Sequence, residues 1–129
     1  MSNLKYSRQR ESIKEYLNST NEHPTADTVY MNVRQLYPNI SLGTVYRNLG
    51  LLTELNEARK VPTPEGRDRF EANMTPHNHF FCNECGKIID LDINIEHLSA
   101  MESQVCNVST GYVESSNTTF SGKCVTCVS

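Results

Sequence analysis

Four of the five cysteines stand in two matched pairs, Cys82-Asn-Glu-Cys85 and Cys124-Val-Thr-Cys127. Two intervening residues let both sulfurs of a pair face one point. Two such pairs make a tetrahedral four-sulfur set, which zinc favours in structural sites and which leaves no position open for water. Gly86, next to the first pair, eases the turn. A shared Zn2+ would tie the start of a small C-terminal unit to its end and stabilise it. Two other readings stand beside zinc: thiol–disulfide exchange, and buried cysteines without a ligand. The fifth cysteine, Cys106, reads as a small buried hydrophobe.

A second set of donors is mixed. In His77-Asn78-His79 the spacing puts both imidazoles on one face of a strand, and Glu71, Asp90 and His23 can add two oxygens and a third nitrogen. Such a set suits five- or six-coordinate Fe2+ or Mn2+ better than a closed tetrahedral zinc. Taken singly these residues are unremarkable: His23 could be a helix-entry residue, the His-x-His a surface pair, and His97 a polar helix position. Taken together they straddle two units, so a metal held by His23, Glu71, His77, His79 and Asp90 would clip the units in one orientation. If that orientation alone matches a partner, the metal shifts the population toward binding. A zinc deaminase would need a Glu within an HxE motif and an open zinc position. The sequence offers neither, and no enzyme is expected.

The elements that must position these donors begin with an amphipathic helix from Ser7 to Asn18, carrying Ile13, Tyr16 and Leu17 on one face. A second helix starts at Pro24 or Thr25 and is expected to bury Ala26, Val29, Val33, Leu36 and Tyr37 before Pro38 stops it. Ser41 is placed to cap a third helix with the stripe Leu42, Val45, Leu49 and Leu52, ended by Asn56 in a left-handed conformation. Strands are expected at Ala58–Pro62 and Arg67–Glu71, joined by the turn Thr63-Pro64-Glu65-Gly66. This order is that of a winged helix-turn-helix, whose last helix enters the major groove of DNA. The fold class is therefore α+β, with residues 1–72 forming the winged helix, 73–76 a hinge ending at Pro76, and 77–129 a small α/β dimerisation and metal-binding domain. In the latter, strands are expected at His77–Cys82, Lys87–Leu91 and Tyr112–Ser121, and a helix at Asn94–Cys106 with Ile95, Leu98, Met101 and Val105 as its apolar face.

The chain's net charge of −3 is divided unevenly. Residues 1–69 carry ten Lys/Arg against eight acids, and residues 70–129 carry two against seven. The first half suits a polyanion and the second a cation such as a metal. On the third helix, Gly43, Thr44 and Arg47 lie opposite the buried stripe, so Arg47 is expected at a base edge and Thr44 at a base or phosphate, while the helical wheel places Tyr46 nearer the core. Lys5, Arg8, Arg10, Arg59 and Lys60 are phosphate contacts or solvated charge. No apolar run approaches the ~20 residues that a membrane helix requires, and no signal-peptide pattern opens the chain, so a cytoplasmic protein without membrane contact is expected.

The segments His23-Pro-Thr-Ala-Asp27, Pro38-Asn-Ile-Ser-Leu-Gly-Thr-Val-Tyr-Arg-Asn-Leu49, Arg69-Phe-Glu71, His77 to Asp90 and Cys124-Val-Thr-Cys127 together resemble the ferric uptake regulator family over nearly the whole chain. The resemblance implies a homodimeric, metal-dependent repressor that binds a palindromic double-stranded DNA operator. It also implies that His23, Glu71, His77, His79 and Asp90 are the sensing ligands, and it places Tyr46 at the DNA. Asp90 stands where the peroxide-sensing branch has Asp and iron sensors have Glu. Glu71 departs from that branch, which more often has Asp there. A third site seen in iron-sensing members needs ligands where this chain has Pro76 and Asn78. Many members also carry an extra helix before the one that begins here near Ser7. In the peroxide branch, by resemblance, bound Fe2+ reduces peroxide and the oxidant attacks a ligand histidine, whereas Mn2+ gives a less responsive repressor. An iron- or other metal-responsive uptake repressor and a thiol-based redox sensor are the alternatives.

Overall fold

In the computed structural model the chain folds as two compact units, residues 1–75 and 76–129. The structure describes residues 7–75, 77–92, 95–106, 110–114, 116 and 118–128. Lys5 and Pro76 lie outside them, as do the side chains of Ile95 and Leu98.

Unit 1 contains helices α1 (Arg8–Ser19), α2 (Ala26–Val33) and α3 (Leu42–Glu54), then strands β1 (Arg59–Val61) and β2 (Arg69–Glu71). Each helix begins on a hydroxyl cap. The Ser7, Thr25 and Ser41 side chains accept the backbone N–H of Arg10, Thr28 and Thr44, satisfying donors that a helix start otherwise leaves orphaned. The stripes predicted by spacing meet in one core, with Ile13, Leu17, Val29, Val45, Leu49 and Leu52 all at 2% exposure or less.

Two residues assigned to buried stripes do not reach this core. Leu36 is 72% exposed because α2 ends at Val33 and the chain continues as a turn, which takes position 36 off the helical phase. Leu42, at the first position of α3, is 37% exposed. Asn56 ends the α3 segment at φ 59°, a left-handed conformation that asparagine tolerates. The β1–β2 hairpin pairs Arg59 with Glu71 and Val61 with Arg69. Its turn is held by Gly66 N–H to the Thr63 carbonyl at 3.0 Å and by Thr63 Oγ1 to the Arg67 carbonyl at 2.7 Å.

Unit 2 carries β3 (Asn78–Cys82), β4 (Ile88–Leu91), α4 (Ile95–Val105), β5 (Thr119–Gly122) and the short α5 (Val125–Val128). The sheet order is β4-β3-β5, antiparallel between β3 and β4 and parallel between β3 and β5. The last strand was expected over Tyr112–Ser121 but spans only Thr119–Gly122. Parallel pairing to β3 needs a crossover, and the described residues 112–114, 116 and 118 precede the ladder. A Cβ at Gly122 would come within 3.3 Å of the Phe80 ring, so glycine lets β5 lie close to β3. On α4, Met101 and Val105 are exposed within the chain. No helix of the described residues is long and apolar enough to cross a membrane.

Candidate metal centres and nucleic-acid surface

The two cysteine pairs converge within unit 2. Cys82 ends β3, and Cys85 follows after a tight turn in which Gly86 takes φ 77° and its N–H reaches the Cys82 carbonyl at 2.9 Å. Cys124 precedes α5 and Cys127 lies in it. One sulfur from each residue lies within 4.8 Å of the others. Cys85 Sγ and Cys124 Sγ stand 3.8 Å apart, much longer than a disulfide bond of about 2.05 Å. Adjacent sulfurs around tetrahedral zinc, with Zn–S about 2.3 Å, lie roughly 3.8 Å apart. The spacing is compatible with a shared metal ion.

Backbone donors prepare it electrostatically. Cys85 N–H and Cys124 N–H point at Cys82 Sγ at 3.5 and 3.4 Å, and these bonds lower the Cys82 thiol from its ordinary 9.0 to about 6. The Cys124 thiol is lowered too, chiefly by the Cys127 backbone N–H. Cys127 is pushed up to about 12, first by hydrogen bonding to Cys124 and then to Cys82. Gathered anionic sulfurs repel, so the last keeps its proton until a dication neutralises the group. The cluster could hold zinc. Cys106, expected to be buried, is half-buried and accepts the Val113 N–H at 3.0 Å.

The mixed donors form two groups, one in each unit. In unit 1, His23 Nε2 lies 3.2 Å from Glu71 Oε1, and both side chains are buried. His23 takes φ 54° in the loop before α2, an uncommon conformation for a residue with a Cβ. Phe70 N–H donates to the Pro24 carbonyl at 2.9 Å, fastening β2 to that loop. In unit 2, His79 faces Asp90 across the β3–β4 ladder. His77 Nε2 and His79 Nε2 lie 3.2 and 3.3 Å from the same Asp90 Oδ1, and the two imidazole rings pack edge to face at 4.6 Å. Neighbouring ligands at ~2.1 Å around an octahedral ion are roughly 3.0 Å apart, close to the 3.2–3.3 Å between each imidazole and its carboxylate.

Among the DNA candidates, Arg47 and Tyr46 are exposed on α3, Tyr46 at 55%. The helical wheel's placement of Tyr46 near the core is therefore wrong. The buried position beside Arg47 is Asn48, at 4% exposure. Val45, Asn48, Leu49 and Leu52 form the inward face, which rotates Tyr46 outward. Thr44 is half-buried and its Oγ1 accepts from Ser41 Oγ at 2.9 Å, so its hydroxyl serves the cap. Arg8 is exposed in the first turn of α1 and Arg10 is half-buried there. Arg59, read as phosphate contact or solvated charge, instead turns toward Glu71, its Nε 3.9 Å from Oε2. Nothing in the sequence marked that pairing, which the hairpin register creates. Lys60 is exposed and pairs with Asp68 at 3.6 Å.

Known proteins resemble this chain in sequence and in fold. The ferric uptake regulator family model matches residues 1–116. The peroxide-responsive repressor PerR of Staphylococcus epidermidis is 38% identical over 82 residues, covering 64% of this chain and 55% of that protein. The match thus spans about half the length of that relative. The ferric uptake regulator of Helicobacter pylori, described as having three functional metal binding sites, superposes with TM-score 0.83 at 26% identity, over 98% of this chain and 83% of that one. The Campylobacter jejuni peroxide stress regulator superposes with TM-score 0.78 at 27% identity, over 92% and 88%. With a family match over almost its whole length and the same fold in solved relatives, the chain belongs to the ferric uptake regulator family.

Proposed function

We propose that the protein is a homodimeric transcriptional repressor that binds a palindromic DNA operator when a divalent ion occupies the site formed by His23, Glu71, His77, His79 and Asp90, and that it senses peroxide through that ion. The carrying observation is the pair of donor groups, each with its atoms already at ligand-to-ligand spacing. Two donors or three alone leave a five- or six-coordinate ion incomplete, whereas together they supply five ligands. His23 and Glu71 belong to the unit with the recognition helix, so an ion drawing on all five donors restrains that unit against the one carrying Cys82. Binding energy for the ion then becomes a bias toward one arrangement.

Held there, Fe2+ would supply the electron that reduces peroxide, and the imidazoles of His23, His77 and His79 would stand as its ligands beside the oxidant formed. Mn2+ suits the same donors. Asp90 and the identity to peroxide-responsive repressors support the peroxide reading, whereas Glu71 favours a second reading, a sensor of metal level itself. The cysteine cluster, holding Zn2+, would keep β3 and the segment after β5 together and so steady the strand that carries His79.

On the DNA side, Arg47 and Tyr46 face solvent from α3. Arg8 and Arg10 occupy a helix N-terminus, where cations are unfavourable for the helix itself, a cost that phosphate binding offsets. The test is anisotropy of a palindromic duplex selected by the Mn2+-loaded protein, with the zinc retained. Tight binding with Mn2+ and weak binding after its selective removal, or in His79→Ala, is expected. Equal affinity in all three forms overturns the proposal.

A further inference from the structure

Arg59 begins β1, directly across the ladder from Glu71. Its Nε faces Glu71 Oε2 at 3.9 Å, and a terminal nitrogen donates to the Met74 carbonyl at 3.1 Å. The Glu71 carboxylate is thereby divided: Oε1 faces His23 and Oε2 faces the guanidinium. Glu71 is 7% exposed and Arg59 26%, so this is a tethered cation beside a carboxylate largely removed from water. Lys60, one residue on, lies on the other face of the strand with its ammonium against Asp68 in solvent. Two adjacent basic residues have been given different tasks.

We propose that Arg59 is the resident counter-cation of Glu71 and competes with the divalent ion for it, so that the regulatory site binds metal more weakly than its five donors alone would. This rests on the assignment of Glu71 as a ligand. A guanidinium and a dication sharing one carboxylate repel, and the repulsion grows as water is excluded. A metal must either share Glu71 with Arg59 or displace it. The bond to Met74 and the β1–β2 register keep the guanidinium from swinging away, so the repulsion persists in the loaded form. Arg59 is then a positioning residue whose charge, not its packing, sets the range of metal concentration to which the protein responds.

The test is Mn2+ titration of the full chain with zinc retained, following free Mn2+ by electron paramagnetic resonance. Arg59→Gln is expected to bind Mn2+ about 5-fold tighter or more, an advantage that shrinks as salt screens the repulsion. Arg59→Leu, which keeps the aliphatic stem, gives a second charge-free form, and Arg59→Lys should stay near the wild type. His23→Ala and Glu71→Gln serve as references. If these two lose Mn2+ while both charge-free variants bind it no tighter than the wild type, the role of Arg59 is overturned and the site stands. If His23→Ala and Glu71→Gln bind Mn2+ as the wild type does, the site itself is overturned.

Discussion

Phe70 donates its backbone N–H to the carbonyl of Pro24 at 2.9 Å, and each of these residues is the chain neighbour of a proposed ligand, Glu71 and His23. One main-chain bond thus fixes the separation of two side chains that lie 48 positions apart in the sequence. It lies beside a buried core, with Phe70 itself 5% exposed. The Phe70 amide is therefore expected to exchange its hydrogen only on unfolding of the whole unit, with protection close to that of the α3 core amides. Exchange at the rate of an open loop would show that the loop and strand separate freely.

The cysteine cluster predicts a proton balance. Cys127, pushed up to about 12, holds its proton near neutral pH and must release it when zinc binds. Calorimetry of zinc uptake in buffers of unequal ionisation enthalpy should give heats that differ in proportion. Identical heats would contradict the clustered-thiolate geometry.

The metal-free form should respond to acid in a defined window. Cys82 has its folded value depressed to about 6 from 9.0 by the N–H groups of Cys85 and Cys124. A depressed value means that its contribution to stability is fully present above the unfolded value near 9 and is lost as pH falls through 6. Chelated protein is expected to lose thermal stability as pH is lowered from 9 to 6, and Cys82→Ser should flatten that slope.

On α3, Ser41 and Arg47 separate stability from recognition. Ser41→Ala removes the cap on Thr44 N–H, 3.0 Å away, and should cost about 1 kcal/mol in denaturant unfolding. Arg47→Ala should leave folding unchanged and cost about 1 to 3 kcal/mol of specific operator binding. A uniform loss on unrelated duplexes would make Arg47 a phosphate contact only.

Much of this was legible because local rules and global packing agree. The Ser41 cap and the stripe Val45, Leu49 and Leu52 share one helical phase, so α3 could be read from spacing alone. The cysteine pairs were legible because two-residue spacing encodes a shared point for both sulfurs. Tyr46 was misplaced because a wheel built from apolar residues alone omits Asn48, the polar residue that faces inward. The pairing of Arg59 with Glu71 depends on a hairpin register that no local pattern fixes, and the bounds of β5 depend on a parallel partner 40 residues upstream, as Phe80 is of Phe120. Leu36 was assigned to the core by a helical period that ends three residues earlier, at Val33.

The central claim is that His23 of one unit and His77 and His79 of the other serve a single ion that senses peroxide. Its most direct test is tandem mass spectrometry of the zinc-loaded protein carrying either Fe2+ or Mn2+, after brief exposure to peroxide. The prediction is one added oxygen on His23 and on His77 or His79 in the Fe2+ form, with the Mn2+ form unmodified and the four zinc cysteines still reduced. Unmodified histidines in the Fe2+ form, or oxidation confined to Cys82, Cys85, Cys124 and Cys127, would contradict it.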